Sequence, residues 1–445
     1  MTRKLLAIGA VLAAAIASVL LIVPPASAAV GLHVSGTDIV EANGQKLIMR
    51  GINHPHVWYT GQTRAFADIK ATGANTVRVV LGTGKRWGPS NDVADVIALC
   101  KQNRLICVLE VHDTTGYGEE AAAASLDEAV NYWIGQQAAL AGQESYVVIN
   151  IGNEPIGNVD AGQWTAATAA AVAKMRANGF EHLLMVDAPN WGQDWQYTMR
   201  DTAQTVLDAD PHGNTVLSIH MYAVFNTAQS IINYLDAIAA KGWPLVIGEF
   251  GWQFAAGEVD DATILAEAQR RGLGYIGWSW SGNTDPILDM VLAFDPAQIT
   301  TWGERIINGP NGIRATSREA SVYGGTQPTT PSTPSTSPST SPSPGGRGCT
   351  AVYATAGQWQ GGFQGDVTVT AGAAPITGWT VTLSFPNGQS VTQAWNATVT
   401  GTGATVTARN VSYNGALAAR GTASFGLLGS WTGTNGAPAV ACTAS

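Results

Sequence analysis

The chain has 445 residues, 45% of them apolar, and its 23 basic and 32 acidic side chains leave a net charge of −9. That length and apolar content give room for two or three packed domains and exclude a disordered chain. An acidic balance with no basic cluster in the part expected to fold excludes nucleic acid as a partner.

Residues 1–28 read as a processing segment. Arg3 and Lys4 precede an apolar run from Leu5 to Val23, and Ala26-Ser27-Ala28 offers a small-residue cleavage site. Pro24-Pro25 and that site favour removal over a membrane anchor. The mature protein is therefore expected to be secreted, with no membrane partner. Secretion makes the four cysteines readable as disulfides. Cys349 and Cys442 bracket the last hundred or so residues and suit a staple joining the ends of a small domain. Cys100 and Cys107 flank a helix-to-strand connection, where a bridge competes with two buried thiols.

Residues 29–325 alternate helical patterns with short apolar strands. The strands are expected at Leu47–Ile52, Thr76–Val80, Leu105–Val111, Val147–Ile151, Leu183–Val186, Thr215–Ile219, Pro244–Gly248 and Gly274–Trp278. Alanine-rich helices are clearest at Asp127–Ala141, Ala161–Asn178 and Asp261–Arg271. Eight strands alternating with helices predict a (β/α)8 TIM barrel. A doubly wound open sheet fits less well. No G-x-G-x-x-G follows the first strand, and polar residues stand after many strands rather than at one switch point.

Residues 326–347 are mostly Thr, Ser and Pro and read as an extended spacer. Residues 348–445 alternate Thr and Val between turn signals such as Pro386-Asn387-Gly388, the pattern of an all-β sandwich.

Two buried strands each end in a carboxylate, at Asn153-Glu154-Pro155 and at Gly248-Glu249-Phe250-Gly251. Packing has no use for an acid there, whereas a barrel delivers catalytic groups from the carboxyl ends of its strands. These two phrases resemble the signature strands of family-5 glycoside hydrolases. So do Val77-Arg78-Val79, Val111-His112-Asp113, Ile219-His220-Met221-Tyr222 and Gly277-Trp278-Ser279-Trp280, in order, over residues 31 to 324.

The resemblance implies Glu154 as acid/base and Glu249 as nucleophile of a retaining hydrolysis. It places Arg78 and Tyr222 beside Glu249 to keep it ionised, and Asn153 on the 2-hydroxyl of the reacting sugar. His112 and His220 would orient that sugar or the acid/base. Trp278 would be the platform under the sugar. Trp280, two residues on, can share its face, and Trp58 with Tyr59 would stack sugars farther out.

The wording around Gly51-Ile52-Asn53-His54-Pro55-His56 and His112-Asp113-Thr114-Thr115-Gly116-Tyr117 is similar to the bacterial endo-β-1,4-mannanases of subfamily 8. β-Mannan is the substrate this implies, with an endo-β-1,4-glucanase and a non-catalytic polysaccharide-binding wall protein as the competing readings. The C-terminal domain resembles family-2 carbohydrate-binding modules. There Trp359, Trp395 and Tyr413 would form a flat strip for insoluble cellulose, and Trp379 would be core.

The chemistry needs no metal. Glu258, Asp260 and Asp261 are dense enough in oxygen to hold a structural Ca²⁺, although a helix N-cap explains them as well. The chain is expected to work as a monomer.

Overall fold

A computed structural model describes residues 31–254, 257–325, 348–359, 361–401, 403–411 and 414–445. The processing segment 1–28 and the spacer 326–347 lie outside them, as do Tyr413 and the Trp359 ring.

Eight parallel strands close into a barrel: β1 (Arg50–His54), β2 (Thr76–Leu81), β3 (Ile106–Val111), β4 (Val147–Asn150), β5 (Leu183–Asp187), β6 (Thr215–Met221), β7 (Leu245–Phe250) and β8 (Gly274–Gly277). The main crossover helices are α1 (Ala65–Ala71), α2 (Val93–Gln102), α3 (Leu126–Gly135), α4 (Gln163–Ala177), α5 (Thr198–Asp208), α6 (Ala228–Ala239), α7 (Asp261–Arg271) and α8 (Thr301–Asn308). The expected strands are all present, with ends displaced by up to three residues. The long helix expected at Asp127–Ala141 breaks after Gly135 into α3 and a short turn, Gln137–Leu140.

Strand residues alternate between two cores. Outward positions such as Val77, Leu109, Ile149, Leu217 and Ile247 pack under the helices. Inward positions near the amino ends, including Ile106, Val108, Val148, Met185, Val216 and Val246, fill the barrel. Towards the carboxyl ends the inward series turns polar: Arg78, Glu110, Asn150, Asp187 and His220 are all fully or almost fully buried. That polar layer is the floor of the barrel mouth.

One irregularity aims the second glutamate into it. Ile219 pairs with Ile247, but His220 pairs with Glu249, leaving Gly248 as an extra residue on β7. A Cβ at Gly248 would stand 2.1 Å from Ser218 Oγ, so a side chain there would have to displace that buried hydroxyl.

Cys100 and Cys107, for which a bridge competed with two thiols, form no disulfide in the structure; both are buried, with Sγ atoms 2.6 Å apart. Helix α2 packs on β3 and makes them neighbours. Burial, with the Cys107 contact adding to it, pushes the Cys100 thiol well above its ordinary pKa.

The C-terminal domain has two four-stranded antiparallel sheets. One contains Cys349–Trp359, Gly362–Ala371, Thr422–Ser430 and Ser390–Trp395; the other contains Ala397–Thr400, Thr405–Asn410, Trp379–Ser384 and Ala439–Ala444. A disulfide joins Cys349 to Cys442 and so ties the first sheet to the second. Trp379 is core, stacked on Phe425 at 5.3 Å.

Candidate active site

Glu154 and Glu249 face each other across the mouth. One carboxylate oxygen from each and a His220 ring nitrogen all lie within 4.8 Å of one another. Both acids are nearly buried.

Glu154 sits just past β4 with φ at 40°, a conformation that an ordinary side chain holds only when its surroundings impose it. Its N–H donates to Asp187 Oδ2 at 3.2 Å, and its C=O accepts from the Gly116 N–H at 3.0 Å. Its Oε1 receives His220 Nδ1 at 2.9 Å.

Glu249 is held on both oxygens. Tyr222 Oη donates to Oε1 at 2.6 Å, and Arg78 donates to Oε2 at 3.2 Å. Burial pushes the Glu249 carboxyl up; His220, Arg78 and Tyr222 pull it back without cancelling the rise, to which the Glu154 charge adds. Arg78 ties the floor together, donating also to Asn150, Asn53, Asn153 and Asp187 at 2.7 to 3.2 Å.

His220 would lose its proton from burial alone. The charges of Asp187 and Glu249 outweigh that cost and raise it to about 10. Its Nε2 is 3.2 Å from Asp187 Oδ2, close enough to ion-pair although off the line of a hydrogen bond. Glu154, His220 and Glu249 are the metal-competent cluster among the described residues. The same three groups are placed close enough to share protons.

Aromatic rings wall one side of the mouth. Trp278 is half-buried, anchored by Nε1 to Asn283 Oδ1 at 2.8 Å, and stacked on His112 at 5.5 Å. Trp58, 39% exposed, stands edge-on to His112 and to Trp87, each at 5.2 Å. His112 Nδ1 bonds Glu110 Oε1 at 2.9 Å, which leaves Nε2 free of that contact. Tyr59 is a loop anchor, donating to the Gly282 carbonyl at 2.7 Å.

Trp280 does not join the site. It is 1% exposed and belongs to the helix-side core, a correction whose cause is that β8 stops at Gly277. Beyond that point, alternation no longer places residues 278 and 280 on one face.

The acidic trio after β7 finds protein partners. Asp260 caps α7 through the Thr263 N–H, and Asp261 pairs with Arg305, while Glu258 is exposed. In the sandwich Trp395 is half-buried, with its indole laid against Gly426.

Glu110, Asn150, Asp187 and Trp87 were not anticipated. The first three could have been found from the inward register: each is the last inward residue of its strand, and each is polar.

Residues 40–284 match the model of the cellulase family, glycosyl hydrolase family 5, over more than half of the chain. The chain belongs to glycosyl hydrolase family 5. Residues 349–444 of this family-5 chain match the cellulose binding domain model, the carbohydrate-binding module expected there. A mannan endo-1,4-beta-mannosidase of Streptomyces lividans is 55% identical over 304 residues, covering 67% of this chain and 79% of that one. One from Cellvibrio japonicus is 47% identical over 339 residues, covering 75% and 78%. The solved β-mannanase of Streptomyces thermolilacinus with mannohexaose is 60% identical, with a TM-score of 0.66, over 66% of this chain and 98% of that one.

Proposed function

We propose that this family-5 hydrolase is a secreted, monomeric, retaining endo-β-1,4-mannanase that its C-terminal module tethers to cellulose. The observation that carries the reading is that one carboxylate oxygen of Glu154 and one of Glu249 lie within 4.8 Å of each other and of a His220 ring nitrogen. Retaining glycosidases need carboxyl groups about 5–5.5 Å apart, whereas inverting ones leave room for a water between them. Mannan is supported by the names of the relatives, since an axial rather than equatorial 2-hydroxyl is all that separates mannose from glucose.

Glu249 attacks the anomeric carbon while Glu154 gives its proton to the departing oxygen. The glycosidic bond breaks and an ester to Glu249 forms. Glu154, now ionised, takes a proton from water. That water attacks the same carbon, releases Glu249 and restores the configuration. His220 occupies Oε1 of Glu154, so the transferred proton belongs on Oε2.

Reducing-sugar release from galactomannan, carboxymethylcellulose and xylan tests this. Wild type is expected to prefer galactomannan, and Glu249→Ala to lose about 10³-fold or more of that activity. Preference for carboxymethylcellulose would make it a glucanase, and equal release by both proteins would remove the hydrolase reading.

A further inference from the structure

Three loops of the barrel rim meet around Glu154, and one side chain ties them together. Glu119, in the loop after β3, accepts at Oε1 from the Asn158 and Val159 N–H groups of the loop after β4, at 2.9 and 3.0 Å. Its Oε2 accepts from the Trp191 indole N–H of the loop after β5, at 2.7 Å. A Cβ at Gly157 would stand 2.8 Å from that same oxygen, so a larger residue there would push the carboxylate away.

These bonds lead to the backbone of Glu154. The Trp191 indole lies on Gly116, where a Cβ would stand 2.5 Å from its Cη2. The Gly116 N–H in turn donates to the Glu154 carbonyl at 3.0 Å. On the other flank, the Gly157 N–H donates to the Tyr117 carbonyl and the Trp191 main-chain N–H to the Ile156 carbonyl, at 3.0 and 3.2 Å. The residues before and after Pro155 are thus clamped between two loops that Glu119 joins. Glu154 needs a clamp, because a φ of 40° is not a conformation its own backbone favours.

A carboxylate suits this place because it only accepts, and bonds to its charge are stronger than those to a neutral oxygen. Three N–H groups from two different loops converge on it. Glu119 is itself exposed and lies in a turn, so replacing it cuts the ties between the loops without opening either core. What it would disturb is the aim of Glu154, and an acid displaced by a fraction of an ångström transfers its proton less well.

We propose that Glu119 is a positioning residue for the acid/base: by joining the loops after β3, β4 and β5, it holds the Glu154 carboxyl against the departing glycosidic oxygen. This rests on the mannanase reading. The experiment measures kcat/KM on two aryl β-mannobiosides that differ only in the leaving group. Phenolate needs the proton that Glu154 gives, whereas 2,4-dinitrophenolate departs without it. For Glu119→Ala the phenyl value should fall about tenfold and the dinitrophenyl value by less than about threefold. Glu119→Gln, which keeps one accepting oxygen, should show the same selective loss to a smaller extent, and it decides the matter if the alanine variant does not fold. Wild-type values on both substrates, or equal falls on both, would overturn the proposal and leave the mannanase reading standing. A wild type that cleaves neither mannobioside would overturn both.

Discussion

His220 keeps a proton in a place where burial alone would remove it, and the pH behaviour follows from that charge. Its pKa is raised to about 10, so the stability it contributes is complete below its ordinary value of 6.5 and is lost as pH rises through 10. For Asp187, burial opposes ionisation, but His220 and Arg78 win and hold it below its ordinary 3.8; its contribution is lost as pH falls through that lowered value. As the proposed nucleophile, Glu249 must be ionised to attack. Because its pKa is raised above 4.5, the acid limb of kcat/KM should lie above 4.5. His220→Asn removes a positive charge 3.8 Å from Glu249 and should move that limb further up. A limb that stays put or moves down in the variant would contradict the assigned charge. Glu154 and Glu249 were legible because each follows an apolar run at the point where the strand ends. Asp187 and Glu110 were not, because one polar residue inside an apolar run reads as part of the strand until its inward register is known.

At the scale of elements, the strands were legible because parallel strands covered on both faces are written as continuous apolar runs. Their detailed course was not. The extra residue at Gly248 depends on pairing with β6, which spacing along one strand does not reveal. Gly248→Ala would force its Cβ into Ser218 Oγ and swing Glu249 away from Arg78 and Tyr222. A stability loss of about 1–3 kcal/mol is expected in urea denaturation, together with a fall in kcat. Unchanged activity would show that the bulge does not aim the nucleophile. The same limit applies to Trp280, since the period of two ends with β8 at Gly277. As core, Trp280→Ala should cost about 3–5 kcal/mol of stability, while Trp280→Phe keeps most of the packing without a buried N–H. A Trp280→Ala protein of wild-type stability but raised KM would return Trp280 to the site.

At the scale of the whole molecule, composition alone separated the two folded parts, since a Thr/Ser/Pro stretch has little to bury. Each part has its own core, one inside and around the barrel and one between the two sheets. Deleting residues 326–445 should leave hydrolysis of soluble galactomannan nearly intact and abolish sedimentation with insoluble cellulose. A truncated form that still sediments would move cellulose binding to the barrel. The sandwich depends on its staple: Cys349 and Cys442 are 93 residues apart, and closing a loop of that length contributes about 4–5 kcal/mol in the chain-entropy view.

The proposed mechanism rests on a barrel rim that sets one carboxyl to donate a proton and another to attack. The most direct measurement is to trap the intermediate with 2-deoxy-2-fluoro-β-mannosyl fluoride, digest the protein and locate the label by mass spectrometry. The account predicts one fluoromannosyl unit per chain, on the peptide containing Glu249, and none on Glu249→Ala. A label on Glu154 or any other residue, or turnover with inverted configuration, would contradict it.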